Sequence, residues 1–117
     1  YFSDKKMIEK SHQMLNNLKI QVKENALGFS NWLHLMTNFT KPFYEVAVVG
    51  ENAKSVIQKI DANYLPNILI SASNKESELP LLSNKFIPGE TYIYVCIDGT
   101  CKLPVLDIDK AILSIRK

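Results

Sequence analysis

The sequence predicts an α/β fold: two N-terminal helices, then a small mixed sheet built from a βαβ unit, an antiparallel hairpin and a C-terminal helix. Three observations predict it. Before Pro42 the apolar residues recur at helical spacing, and after it they run in short β-rich stretches. Tyr44-Glu-Val-Ala-Val-Val49 and Asn67-Ile-Leu-Ile-Ser71 flank a helical segment, which is the signature of a βαβ unit with a right-handed crossover. Asp98-Gly99 lies between two β-rich runs, the strongest short-range signal for a hairpin.

The first helix is expected over 4–25. Ile8, Leu15, Leu18 and Val22 form its apolar stripe with Met7 and Met14 beside them, and Ser3 or Asp4 can accept an orphan amide at its start. After a break at Asn25–Gly28, a second helix over 29–39 carries an aromatic stripe of Phe29, Trp32, Leu33, Met36 and Phe39, which requires a substantial partner surface. Pro42 ends that region. The strand at 44–49 is apolar throughout its second half, as in a strand covered on both faces, and the one at 67–71 reads the same way. Between them, residues 51–64 read as a helix with Ala53, Val56, Ile57, Ile60 and Tyr64 inward. Residues 74–90 are polar and hold Pro80, Pro88 and Gly89, with Leu79, Leu81 and Leu82 marking one docked turn in a long loop. Asp107 caps a last helix through Arg116, with Ile108, Ala111, Ile112 and Ile115 facing in and Arg116 and Lys117 suited to its C-terminal dipole. The expected arrangement has the two N-terminal helices on the sheet and helices on both sheet faces. A thioredoxin-like order, with its middle helix reduced to a loop, is the alternative.

The chain has 117 residues, 46% of them hydrophobic and 22% charged, which is ordinary for a packed domain and excludes disorder except at the ends and in the long loop. The net charge of +2 is spread without a basic cluster, so nucleic acid is not an expected partner. No apolar run approaches the roughly 20 residues that span a bilayer, and there is no signal-peptide pattern. The chain begins at Tyr1 rather than Met and reads as part of a larger protein.

The only two cysteines, Cys96 and Cys101, lie on either side of the Asp98-Gly99 turn. A two-residue turn sets Ile97 opposite Thr100 and Cys96 opposite Cys101, the latter a non-hydrogen-bonded pair with Cα atoms about 4.5 Å apart. Alternation puts Ile93, Val95 and Ile97 on one face and Tyr92, Tyr94, Cys96, Cys101 and Leu103 on the other. Three readings stay open: two small buried hydrophobes, a structural or reversible disulfide at the short edge of bridging geometry, or part of a metal site. Zinc needs more ligands than these two thiols, and His12 and His34 fall in the helical region. No metal or cofactor is therefore expected.

Other chemistry is thinly marked. Val48-Val-Gly-Glu-Asn52 has the one glycine of an ordinary βα turn, with Glu51 ill placed for an anion. A small ligand could sit at the C-terminal ends of the strands, around Gly50, Ser71 and Ser73, on the switch-point rule for open sheets. His12 reads as wet and His34 as a packed or half-exposed helical residue. No carboxylate pair or serine nucleophile motif points to a catalytic centre within the chain.

Tyr94-Val-Cys-Ile-Asp-Gly-Thr-Cys-Lys-Leu-Pro104 resembles a pattern of Tyr-Val-Cys, four residues, Cys, two residues, Pro near the end of thioredoxin-domain-containing proteins of the spermatogenesis-associated type. Many bacterial members exist. Tyr44-Glu-Val-Ala-Val-Val-Gly50, Tyr64-Leu-Pro-Asn67 and Asp107 with the final helix are similar to other landmarks of that family's C-terminal end. The resemblance implies a parent with a thioredoxin-like domain, a helical toroid like six-hairpin glycosidases, and an α/β tail. Residues 1–42 would then be the last helices of the toroid and 43–117 the C-terminal α/β domain. It implies a non-catalytic structural or interaction domain whose partner is the upstream toroid of its own chain, with self-association through exposed apolar helix faces. A redox accessory role for Cys96 and Cys101 is the alternative. The parent's redox or carbohydrate-related chemistry would lie outside this stretch, which lacks a Cys-x-x-Cys motif, and the expected location is cytoplasmic.

Overall fold

In the computed structural model, residues 4–40 and 42–116 are described, and the chain divides into two compact units between Pro42 and Phe43. In the first unit, helix α1 spans Lys5–Glu24. Its cap is Asp4, whose carboxylate accepts the amides of Lys6 (2.9 Å) and Met7 (3.4 Å), offsetting two of the four orphan donors of a helix start. Ser3 lies outside the described residues. A 3-10 turn, Ala26–Phe29, follows, with the Asn25 side chain accepting the Gly28 amide at 3.3 Å, and it runs into helix α2, Ser30–Thr40.

Of the α1 stripe, Leu15 and Val22 are buried, whereas Met7, Ile8 and Met14 are exposed. Helix α2 has no fully buried residue, so Trp32, Leu33, Met36 and Phe39 are only partly covered. His12 lies on the wet side but packs its ring on Phe39, with centroids 3.9 Å apart.

The second unit is an α/β layer. Strand β1 (Tyr44–Val49), helix α3 (Ala53–Asp61), strand β2 (Ile68–Ser73), strands β3 (Tyr92–Ile97) and β4 (Thr100–Cys101), and helix α4 (Ile108–Ile115) follow in that order. The sheet runs β2-β1-β3-β4. β1 and β2 are parallel, and β3 is antiparallel to both β1 and β4.

β1 is hydrogen-bonded on both sides, and Val46, Ala47, Val48 and Val49 are all fully buried. β2 instead forms a free edge and is only half-buried along its length, so its apolar run does not mark a central strand. One face of the sheet carries Val46, Val48, Ile93 and Val95 against Ala53 and Ile60 of α3 and Ala111 and Ile115 of α4. Burying an aliphatic side chain of this kind contributes about 1.5–3 kcal/mol. Both helices of this unit therefore share a single face. Within this unit the opposite face is covered at Ala47 and Val49 by the long loop rather than by a helix. Ala47 and Val49 pack there against Leu82, with Leu81, Phe86 and Tyr94 at the margin. The docked turn exists, held by Leu82 and Ser83 amides donating to the Leu79 carbonyl at 2.8 Å each, although Leu79 itself is exposed.

Helix α3 is shorter than the sequence predicts. It ends at Asp61, and Tyr64 is exposed rather than inward. Pro66 disfavours helical backbone at Leu65, and Leu65 takes the inward place instead. Helix α4 is capped as expected, with the Asp107 carboxylate accepting the Lys110 amide at 3.1 Å; Lys117 lies outside the described residues.

Candidate functional site: the cysteine hairpin

The hairpin is built from its turn outward. Asp98 (φ 50°) and Gly99 (φ 75°) both occupy the left-handed region, as a two-residue type I′ turn requires. Ile97 pairs with Thr100, and Cys96 with Cys101. The Lys102 amide donates to the Val95 carbonyl at 3.0 Å, so the cysteines occupy the non-hydrogen-bonded position between two bonded pairs. Cys96 and Cys101 form a disulfide, with Cα atoms 3.9 Å apart, and neither is a free thiol. The reading of two unlinked buried thiols is thereby corrected. Opposed positions in a tight register bring the sulfurs together without any further demand on the fold.

The two sulfurs do not share one environment. Cys96 is fully buried, and Cys101 is half-buried on the edge strand. Glu45 lies across β1 in register with Cys96. Its carboxylate accepts the Gly99 amide at 3.1 Å, tying the tip of the hairpin to the neighbouring strand. Sequence reasoning missed Glu45. The signal was its isolation, one charge in an otherwise apolar strand.

Leu103 departs from its expected place. The pairing resumes at Ile93 and Val105, whose amides and carbonyls exchange bonds of 2.8 and 3.0 Å. Between the bonded residues 102 and 105 lie two residues, opposite Tyr94 alone. This is a bulge, and Pro104, which has no amide to give, sits within it. Leu103 is 90% exposed and does not cover the disulfide. Tyr94 does lie on the cysteine face. Its hydroxyl donates to the Lys85 carbonyl at 3.1 Å, and the Lys85 ammonium stands 5.7 Å from its ring centre. Burial, with Tyr92 adding to it, pushes the Tyr94 phenol above its ordinary value.

At the other end of the sheet, the structure brings Gly50 and Ser73 together, and Ser71 lies two residues back along β2, opposite Ala47. The Gly50 amide donates to the Ser73 carbonyl at 3.0 Å. The Ser73 hydroxyl donates to the Lys75 carbonyl at 2.6 Å. Gly50 adopts φ 144°, and a Cβ there would meet the Glu90 carbonyl oxygen and stand 2.6 Å from Thr91 Oγ1. Thr91 Oγ1 also accepts the Asn52 amide at 3.0 Å. The chain entering β3 therefore occupies the space beside Gly50, and the polar groups there bond to one another.

A shallow concavity of about 480 Å³ lies along the free β2 edge, between Ile57 and Ile60 of α3 and Ile68 and Ile70 of β2. Among the described residues, no group of three or more His, Cys, Asp or Glu is placed to hold a metal ion, and no helix is long and apolar enough to cross a membrane. No family model matches the chain, and no curated protein or solved structure matches it either.

Proposed function

We propose that this chain is a non-catalytic structural and interaction domain of a larger protein, as its resemblance to the C-terminal end of thioredoxin-domain-containing proteins implies. One observation carries the reading: Trp32, Leu33, Met36 and Phe39 form an aromatic stripe that is nowhere fully buried. A helix spends that much apolar surface only where a partner covers it. The partner is the helical toroid of the same parent, and in its absence the stripe supports self-association. The test compares the chain with and without the preceding region of its parent, supplied as a separate polypeptide. Binding of an apolar dye and concentration-dependent association, both suppressed by that addition, are the expected result. A strictly monomeric chain that binds no dye contradicts the proposal.

A second reading is favoured by the disulfide: a redox accessory role for Cys96 and Cys101. In the cytoplasmic setting the proposal assumes, thiols are kept reduced, and a disulfide there is usually transient and redox-active rather than structural. Stability is a weak reason for this bond. A closed loop of six residues yields an entropic gain of about 2 kcal/mol at most, and the turn already closes that loop. Replacing both cysteines by serine in the parent separates the readings. Loss of the parent's redox activity with the fold intact favours the accessory role, and unchanged activity favours support alone.

A further inference from the structure

We infer that the hairpin is a thiol–disulfide exchange site with Cys101 as its entry sulfur, and that its reductant is a dithiol whose second thiol can close a ring on the first. The inference rests on the second reading above and adds a direction and a partner chemistry to it.

Thiolate attack on a disulfide proceeds along the axis of the S–S bond, from the side away from the leaving sulfur. Cys96 sits on β3, flanked by β1 and β4, and Cys101 sits on the edge strand β4. Cys101 is half-buried, and its neighbours Thr100 and Lys102 are exposed. Cys96 is fully buried, with Glu45 in register beside it on β1 and the Glu45 carboxylate held by the Gly99 amide. An incoming thiolate at Cys96 meets closer packing and a like charge on the neighbouring strand, and at Cys101 it approaches from the edge of the sheet.

The partner follows from the leaving group. Attack forms a bond between the partner sulfur and Cys101 Sγ and breaks the Cys96–Cys101 bond. The electron pair passes to Cys96 Sγ, which takes up a proton. Cys96 still faces Cys101 across the same register, so it re-attacks at a very high effective concentration and expels a monothiol. A partner carrying a second thiol close by escapes this reversal. Its second thiolate attacks its own sulfur in the mixed disulfide, and Cys101 leaves as a thiolate and is protonated. The net exchange is hairpin disulfide plus dithiol to hairpin dithiol plus partner disulfide, with two electrons and two protons transferred.

Two measurements on the oxidised, folded chain test this. In the first, free thiols are counted after native incubation with dithiothreitol or with a large excess of glutathione. Dithiothreitol is expected to open the bridge and glutathione to leave it closed. Equal opening by glutathione overturns the dithiol requirement, and a bridge that neither opens while the chain stays folded sinks the redox reading itself. In the second, the reduced chain is alkylated with limiting iodoacetamide and the adducts are located by fragment spectra. Cys101 is expected to be modified at least about tenfold faster than Cys96, since accessible thiolate sets the rate. Equal or reversed labelling overturns Cys101 as the entry sulfur while leaving redox activity standing.

Discussion

The two ends of the sheet are built from similar parts and behave as opposites. Each has a glycine in the left-handed region, Gly50 at one end and Gly99 at the other. At the Gly50 end, backbone and hydroxyl groups of β1, β2 and the entry to β3 satisfy one another, and the glycine's missing side chain is what lets them meet. Beside Gly99 there is open space within 4 Å, and the disulfide cysteine Cys101 sits two residues away. Open α/β sheets commonly bind ligands beyond the C-terminal ends of their parallel strands. Here the chain entering β3 occupies the space beside Gly50, and the disulfide lies on the hairpin at the other end.

The contrast is sharpest in Gly50→Ala against Gly99→Ala. The first forces a Cβ into the Glu90–Thr91 backbone as well as an unfavourable φ, and it is expected to cost about 3 kcal/mol or more, or to abolish folding. The second meets only the conformational penalty, about 1 kcal/mol. Denaturant unfolding of both variants checks the pair, and similar losses would erase the distinction between the ends. Reduction of the disulfide is expected to lower stability by less than about 2 kcal/mol, because the turn and the Glu45 tie remain. Unfolding curves with and without reductant measure that difference. Thr91→Val removes the acceptor for the Asn52 amide and is expected to cost about 1 kcal/mol at the closed end, by the same assay.

The smallest effect concerns pH. Tyr94 holds its proton more tightly when folded than when unfolded, chiefly through burial and secondarily through Tyr92. Its contribution is therefore complete below the unfolded value near 10 and is lost as pH rises through the higher folded value. Stability should fall slightly on the alkaline side of about pH 10, and Tyr94→Phe should flatten that fall.

Much of this was written in the residues. The Asp98-Gly99 turn fixed the register by stereochemistry, so the opposition of Cys96 and Cys101 followed from two residues. Asp107, Gly50 and the helical stripe of α4 were legible for similarly local reasons. What escaped the sequence was set by neighbours. The apolar run of β2 matches that of β1, yet β2 is an edge, because strand order is a tertiary choice. Tyr64 reads as the next inward turn of α3, but the helix has already ended before Pro66. Leu103 obeys alternation only until Pro104 forces the bulge. The asymmetry between the cysteines depends on Glu45, some fifty residues away in sequence and adjacent in space.

The most direct test of the cysteine hairpin is a thiol count by mass on the folded chain, purified under air and alkylated before and after native reduction. The bridged hairpin predicts no adduct before reduction, adducts on both cysteines afterwards, and reclosure when mild oxidant is restored. Adducts on both cysteines before any reductant is added would contradict it.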